Sequence, residues 1–330
     1  MNRISGRRVD ARASAYLPAA VLLLILAAAA GLFAGSYCYA MANPAPHYLP
    51  VAVTGQGQST AFVQSLDDHL DSSLRVRRYP TYAEADAAVE EQRAFAIITL
   101  DGRQATLDTT AASGASVARL LAAAAPAAGQ AAGVPVTVRD IKPLQPTDPQ
   151  GLAIFYMSLA AVIVGFVGAI QLNVHAKGLN PVERVAFTAA YAALGGFAIC
   201  SVIDHLLGVL DLPFWESWTI SSLTMFSTGM VFTMFNAVIG RWAMIPTWGL
   251  MVVIGNPSSG GAVSWPLLPS PLGLVGRWLP PGASVEAQHT AIYFHDHQRA
   301  RPFIILASWA LVCLTIYLFS QRRRPAAAPA

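Results

Sequence analysis

Six apolar segments with arginine-bearing joints confine this 330-residue chain to a bilayer before any motif is considered. A helix needs about 20 predominantly apolar residues to cross a hydrocarbon core of about 30 Å. The first segment is Tyr16–Tyr37, the second Leu152–Val174, the third Val185–Leu210, the fourth Trp218–Ile239 and the sixth Pro302–Ser320. The fifth, Trp242–Ile254, is short, so it must tilt, start earlier or lean on the broken helices after it. Hydrophobic residues make up 55% of the chain and charged residues 12%, about half the usual share of roughly a quarter.

Charge sets the expected orientation. Arg3, Arg7, Arg8 and Arg12 precede the first segment, Lys177 and Arg184 separate the second and third, and Arg241 separates the fourth and fifth. Arg322, Arg323 and Arg324 follow the sixth. With six spans, all of these fall on one side, which the positive-inside rule makes cytoplasmic. The loop Asp211–Ser217 on the opposite side carries Asp211 and Glu216 and no base. Ala40-Met41-Ala42 could serve as a signal-peptidase site, but the apolar run before it exceeds the usual 7–15 residues of a cleaved signal, so a retained anchor is expected. Cys38, Cys200 and Cys313 lie in or beside apolar runs, which leaves no disulfide framework or metal-binding cysteine pair. The net charge of +3 is small, and no nucleic-acid partner is expected.

Residues 43–150 form the one water-soluble unit. Apolar spacing of the Phe62, Leu66, Leu70 kind marks helices, and β-branched runs such as Ile97–Thr99 mark strands. The pattern reads strand Tyr48–Thr54, helix Thr60–Leu70, strand Leu74–Tyr79, helix Tyr82–Gln92, strand Ala94–Leu100, strand Gln104–Thr109, helix Ser113–Ala125, strand Pro135–Ile141. Thr81 followed by Glu84 is a capping-box start. Pro143–Gln150 tethers the unit to the membrane. The expected fold is an α-helical polytopic membrane protein of six spans, with a small extracytoplasmic α/β domain at 43–150 between spans one and two. A basic cytoplasmic terminus (1–15), span one (16–42), a five-span region (151–320) and a cytoplasmic tail (321–330) complete it.

No enzyme signature is present. The chain contains no phosphate-loop motif, no zinc-peptidase His-Glu-x-x-His and no Gly-x-Ser-x-Gly elbow, and no cofactor is expected. His289, His295, Asp296 and His297 could supply metal ligands at the outer surface; the plainer reading is an interfacial loop, and no metal site is assigned. Gly55-Gln56-Gly57 resembles a fragment of a phosphate loop, and a tight turn is the reading adopted.

Within the membrane, the ionisable pair Asp204-His205 is a functional candidate by default. It lies within two turns of the outer surface, where the competing reading is a solvated helix end. The fourth segment carries Ser221, Ser222, Thr224, Ser227, Thr228, Thr233 and Asn236. These serve either helix–helix hydrogen bonding or the lining of a pathway, for which Ser227 and Asn236 are the candidates. Ala161, Gly165 and Ala169 form a small-residue face that fits either a dimer seam or packing within the chain. Finally, Gly255–Phe294 is too apolar for a solvated loop and too rich in proline for one helix, and Arg277 and Glu286 are its only formal charges. Short helices that dip into the outer leaflet at about 256–294 and return are expected, because irregular backbone at membrane depth must be packed in protein or line a cavity.

Asn256-Pro257-Ser258-Ser259-Gly260-Gly261, Leu268-Pro269, Trp278-Leu279-Pro280-Pro281-Gly282 and Ala291–Phe294 carry a resemblance to a known class. With one span, an outside α/β domain and five further spans, the chain resembles the type-2 ABC exporter membrane domain. Within that class it is similar to the subgroup of phage infection protein and the nitrosoguanidine-resistance-like membrane proteins. The outside domain here lacks the long coiled-coil insertion of some relatives. The resemblance implies a permease-like subunit that works as a homodimer or as a heterodimer with a related permease; the class usually has a separate ATPase subunit, while this subgroup often has no clear ATPase partner. It would move an amphipathic or lipid-like molecule outward, with Asn256, Ser258, Ser259, Gly260 and Gly261 on the substrate pathway. The alternative is a non-transporting envelope protein whose outside domain binds a partner or acts as a receptor. Fold analogy by itself is a weak warrant for function.

Overall fold

The computed structural model describes residues 4–57, 59–71 and 73–322, with side chains from Tyr16 onward. Arg3, Arg323 and Arg324 lie outside the described residues, as do the side chains of Arg7, Arg8 and Arg12. Among the described residues five helices are long and apolar enough to cross a membrane, which makes this a multi-pass membrane protein. They are α1 (Ile4–Met41), α5 (Ala153–His175), α6 (Pro181–Ser201, extended by a π-helical turn Val202–Leu206), α7 (Phe214–Ile239) and α11 (Ala300–Arg322). The expected fifth span is shorter than the others. It forms α8 (Met244–Trp248) followed by π-helical Gly249–Gly255, roughly 18 Å at about 1.5 Å per residue.

Helix α7 is the hub, with more than half of its apolar stretch buried in the protein, whereas the apolar stretch of α1 has no buried residue over most of its length. Small residues let its neighbours approach. A side-chain carbon on Gly165 of α5 would collide with Thr228, and one on Gly196 of α6 would lie 2.9 Å from the Ser222 nitrogen. The Ala161–Gly165–Ala169 face is therefore turned inward: Ala161 and Ala169 are buried, and Gly229 of α7 packs on Gly165 and Ala169. Much of the polar row of α7 is satisfied internally, since the hydroxyls of Thr224, Thr228 and Thr233 donate to the carbonyls of Ile220, Thr224 and Gly229 at 2.8, 3.0 and 2.8 Å. α6 opens on a complete capping box. Asn180 Oδ1 accepts from the Val182 and Glu183 nitrogens, and Glu183 Oε2 accepts from the Asn180 nitrogen, with Pro181 at the first helical position.

Between α1 and α5 the chain builds a five-stranded sheet in the order β2-β1-β3-β4-β5. The strands are β1 (Leu49–Gly57), β2 (Leu74–Arg78), β3 (Ala96–Gly102), β4 (Gln104–Thr109) and β5 (Val136–Asp140). The helices are α2 (Thr60–His69), α3 (Tyr82–Glu90) and α4 (Ala115–Ala132). β4 runs antiparallel to β3 and the other neighbours pair in parallel. The first crossover moves outward from β1 to β2 and the second returns past β1 to β3. Right-handed connections then require α2 and α3 on opposite faces. The strands alternate to match: Val51, Val53, Ala96 and Ile98 join the core with Phe62, Leu66 and Leu121, while Ala52 and Ile97 pack with Ala85 and Val89 of α3. Thr81 caps α3 through its oxygen and the Glu84 nitrogen at 3.2 Å. Gly55-Gln56-Gly57 is not a turn: it continues β1 and pairs with Leu100–Gly102, and a side chain at Gly55 would strike the Leu100 carbonyl.

The apolar segment after Gly255 breaks into short helices as its prolines require: a 3-10 turn Trp265–Leu267, α9 (Ser270–Val275), a 3-10 turn Gly276–Trp278 and α10 (Pro280–Tyr293). Its first part does not seek lipid. Val263, Leu267 and Leu268 enter the core that holds Leu49, Phe62 and Leu121, and the His47 nitrogen donates to the Pro266 carbonyl at 2.7 Å. Farther along, Leu274, Val275 and Trp278 are exposed.

Candidate functional site

A cavity of about 250 Å³ opens where three parts of the chain meet. Gln92, Ser113 and Ser116 of the α/β unit line one side, the turn Ser258–Gly261 and Trp265 a second, and Arg277, Glu286, His289, Arg299 and Arg301 the third. Direct hydrogen bonds clamp the seam around it. Gln92 Nε2 donates to Thr290 Oγ1 at 3.0 Å. Ser116 Oγ donates to Ser264 Oγ at 2.9 Å and accepts from the Ser264 nitrogen at 2.9 Å. An Arg299 Nη2 donates to the Glu91 carbonyl.

The turn itself is tightly built. The Ser258 hydroxyl donates back to the Ile254 carbonyl at 2.6 Å, and the Gly261 nitrogen reaches Ser259 Oγ at 3.4 Å. Gly260 adopts a φ of +86°, which residues with a side chain rarely adopt. A carbon on Gly261 would lie 3.0 Å from Phe155 Cβ. Asn256, just before the turn, is buried at 2% exposure, and its Nδ2 meets no acceptor among the described residues.

The charges lining the cavity are unevenly paired. Arg301 Nη1 lies 3.2 Å from Glu286 Oε2, and Arg301 also sits over the Trp278 ring at 5.0 Å. Asp148 is committed to the start of α5, accepting from the Leu152 and Ala153 nitrogens at 3.1 and 3.0 Å. Arg277 stacks on the Trp265 ring at 3.4 Å. It has no carboxylate within ion-pair distance among the described residues.

Other sequence candidates lie elsewhere. Asp204 and His205 pair with each other at 3.4 Å in the π-helical turn that ends α6, with His205 stacked flat on Phe214. Ser227 is fully buried in α7, and its hydroxyl has no partner among the described residues. Asn236 donates to Asn173 Oδ1 at 2.9 Å and faces a second cavity of about 220 Å³ at the opposite end of the helices, with Lys177, Arg184 and Tyr317. His295 turns its Nδ1 to the Ala291 carbonyl at 2.9 Å. No three His, Cys, Asp or Glu side chains gather into a metal-binding group among the described residues.

Of the sequence candidates, then, Ser258, Ser259, Gly260 and Gly261 line the seam cavity. Arg277, Glu286, Trp265, Arg299 and Arg301 join them without having been singled out as site residues. The signal was present for Arg277 and Glu286, the only formal charges in an otherwise apolar stretch. No protein-family model, curated protein or solved structure matches this chain.

Proposed function

We propose that this chain is the permease-like membrane subunit of an ABC-type exporter that moves an amphipathic or lipid-like molecule outward. In this reading the chain crosses the bilayer six times, with Met244–Gly255 and the turn after it completing the short crossing. Both termini are cytoplasmic and residues 43–150 lie outside. The observation that carries the reading is the seam cavity: broken half-helices between the long helices and the α/β unit enclose a mixed polar and aromatic space. Irregular backbone at such a depth has a physical reason when it lines a cavity. The half-helix Ser270–Trp278 keeps Leu274, Val275 and Trp278 exposed, as a segment resting in the outer leaflet would.

The joints at the other end are too short to fold a nucleotide-binding domain, so the energy source is a separate ATPase. It would dock near Lys177, Arg184 and Arg241, on a dimer of this chain or of this chain with a related permease. Two measurements test the reading together. An ATPase should co-purify with the tagged chain from its native membrane, and inverted vesicles carrying both should take up a short-chain fluorescent phospholipid on addition of ATP. Uptake equal to that of vesicles lacking the chain, with no ATPase recovered, would replace export with the receptor reading.

A further inference from the structure

We propose that the seam cavity binds an oxyanion headgroup, a phosphate or carboxylate, with Arg277 as its principal contact. This deepens the export reading by naming the substrate as an anionic amphiphile, and it rests on that reading only for the direction of movement.

Three arginines line the cavity, Arg277, Arg299 and Arg301, against Glu286 and Asp148. Both acids are already engaged, Glu286 with Arg301 and Asp148 with backbone nitrogens of α5. The remaining charge is positive and lies on Arg277 and Arg299, of which Arg299 already donates to the Glu91 carbonyl. A guanidinium offers five N–H donors in a planar fork. The contact of Arg277 with the Trp265 ring, 3.4 Å from guanidinium carbon to ring centre, holds the group in place through the ring face rather than through a hydrogen-bond acceptor. One of its terminal nitrogens, Nη2, is buried and meets no acceptor among the described residues. The Ser113 hydroxyl, on the same cavity wall, is likewise buried and unpartnered. A guanidinium with no carboxylate at ion-pair distance is costly to bury, and an oxyanion that offers two acceptor oxygens, as carboxylate and phosphate both do, is the chemistry that Arg matches in a bidentate manner. A cation finds only engaged carboxylates here. Sites for whole drug-sized ligands run from about 300 to 1,000 Å³, so the cavity suits a headgroup and the first atoms of its linker rather than an entire amphiphile.

The full chain in phosphatidylcholine nanodiscs, titrated by calorimetry, tests the site without any transport assay. Dodecyl phosphate should bind saturably, and dodecyltrimethylammonium, with the same tail and opposite charge, should bind at least tenfold more weakly. Inorganic phosphate separates the sources of the chemistry: competition at millimolar concentration marks a site that accepts the free oxyanion, and no competition marks one that requires the attached tail. Arg277→Gln should weaken dodecyl phosphate binding at least tenfold, and Arg277→Lys should retain part of it. The proposal is overturned by equal binding of the two dodecyl probes, by no binding of dodecyl phosphate, or by unchanged affinity in an Arg277→Gln protein that melts with the parent. The comparison of the two probes needs no variant, so it stands even if Arg277→Gln fails to fold. Binding without ATP-driven uptake would retain this site and remove export. Uptake of the phospholipid undiminished by Arg277→Gln would remove the site and retain export.

Discussion

Gly276 presses so closely on the Ser258 carbonyl that no side-chain atom fits between them. The chain leaves the turn at Ser258, packs Leu267 and Leu268 into the sheet's core, and returns through Gly276 to cross its own path. Gly282 in turn lies against the Gly276 carbonyl. The obstacle at Gly276 is backbone, which cannot rotate away as a side chain could. Gly276→Ala should therefore exceed the usual overpacking cost of about 1–3 kcal/mol. Gly260→Ala meets nothing closer than 3.8 Å and bears only the cost of its positive φ, about 1–2 kcal/mol. Thermal unfolding of the two variants in detergent should place Gly276→Ala well below Gly260→Ala. Equal midpoints would mean that the crossing is not rigid.

The orientation is open to direct chemical reading. Cys38 is exposed while Cys200 and Cys313 are buried, so all three are best replaced by alanine. Gln104 is exposed at the tip of the β3–β4 hairpin, and Ala330 follows α11 in the sequence. A membrane-impermeant maleimide applied to intact cells should label Gln104→Cys and leave Ala330→Cys unlabelled until the membrane is opened. The reverse pattern would invert the topology.

The eight elements of the α/β unit were legible because each carries a local signal: β-branched runs for the strands, apolar spacing and a Thr81 cap for the helices. Their ends differ by a few residues, most at α4. That helix passes Pro126 and continues to Ala132, stopping where Gly133 takes a left-handed conformation. A proline removes one donor from a helix, and here the helix continues regardless. What sequence could not convey was the destination of apolar groups. Leu267 and Leu268 require burial, yet nothing in their identity separates a lipid leaflet from the core beneath β1. The same limit applies to Ala161, Gly165 and Ala169, whose small size permits close packing without naming the partner, which is α7. At the site, Ser258–Gly261 came forward only through the family resemblance. The stacking of Arg277 on Trp265 was not legible, because it depends on how the segment folds back.

A buried carboxylate inside the α/β unit gives a prediction with a pH signature. Asp108 is fully buried and paired with Arg139, and Tyr82 donates to its Oδ2 at 3.0 Å. Burial, and then the hydrogen bond to Asp108, raise the Tyr82 phenol above its ordinary value of 10.0. A raised folded value means that the contribution of Tyr82 is complete below about pH 10 and is lost as pH climbs through the folded value. Tyr82→Phe should lower stability by about 1 kcal/mol at neutral pH, and the gap between variant and parent should narrow in alkali. A gap that stays constant up to about pH 11, above the ordinary phenol range, would show that folding does not raise the Tyr82 phenol.

Docking of the apolar segment on the α/β unit depends on Ser116, whose single oxygen both donates to the Ser264 hydroxyl and accepts from the Ser264 nitrogen. Ser116→Ala removes both bonds and leaves a buried backbone donor at Ser264 without its acceptor. Such an orphan costs about 1–3 kcal/mol. The apolar anchors Val263, Leu267 and Leu268 remain, so the effect should be local opening rather than unfolding. Hydrogen exchange followed by mass spectrometry should show faster exchange across 256–268 in Ser116→Ala, with β1 and β3 protected as in the parent. Dodecyl phosphate should slow that exchange in the parent, since the turn Ser258–Gly261 lines the cavity it fills. Exchange across 256–268 that is indifferent to Ser116→Ala would mean that apolar burial alone holds the segment on the sheet.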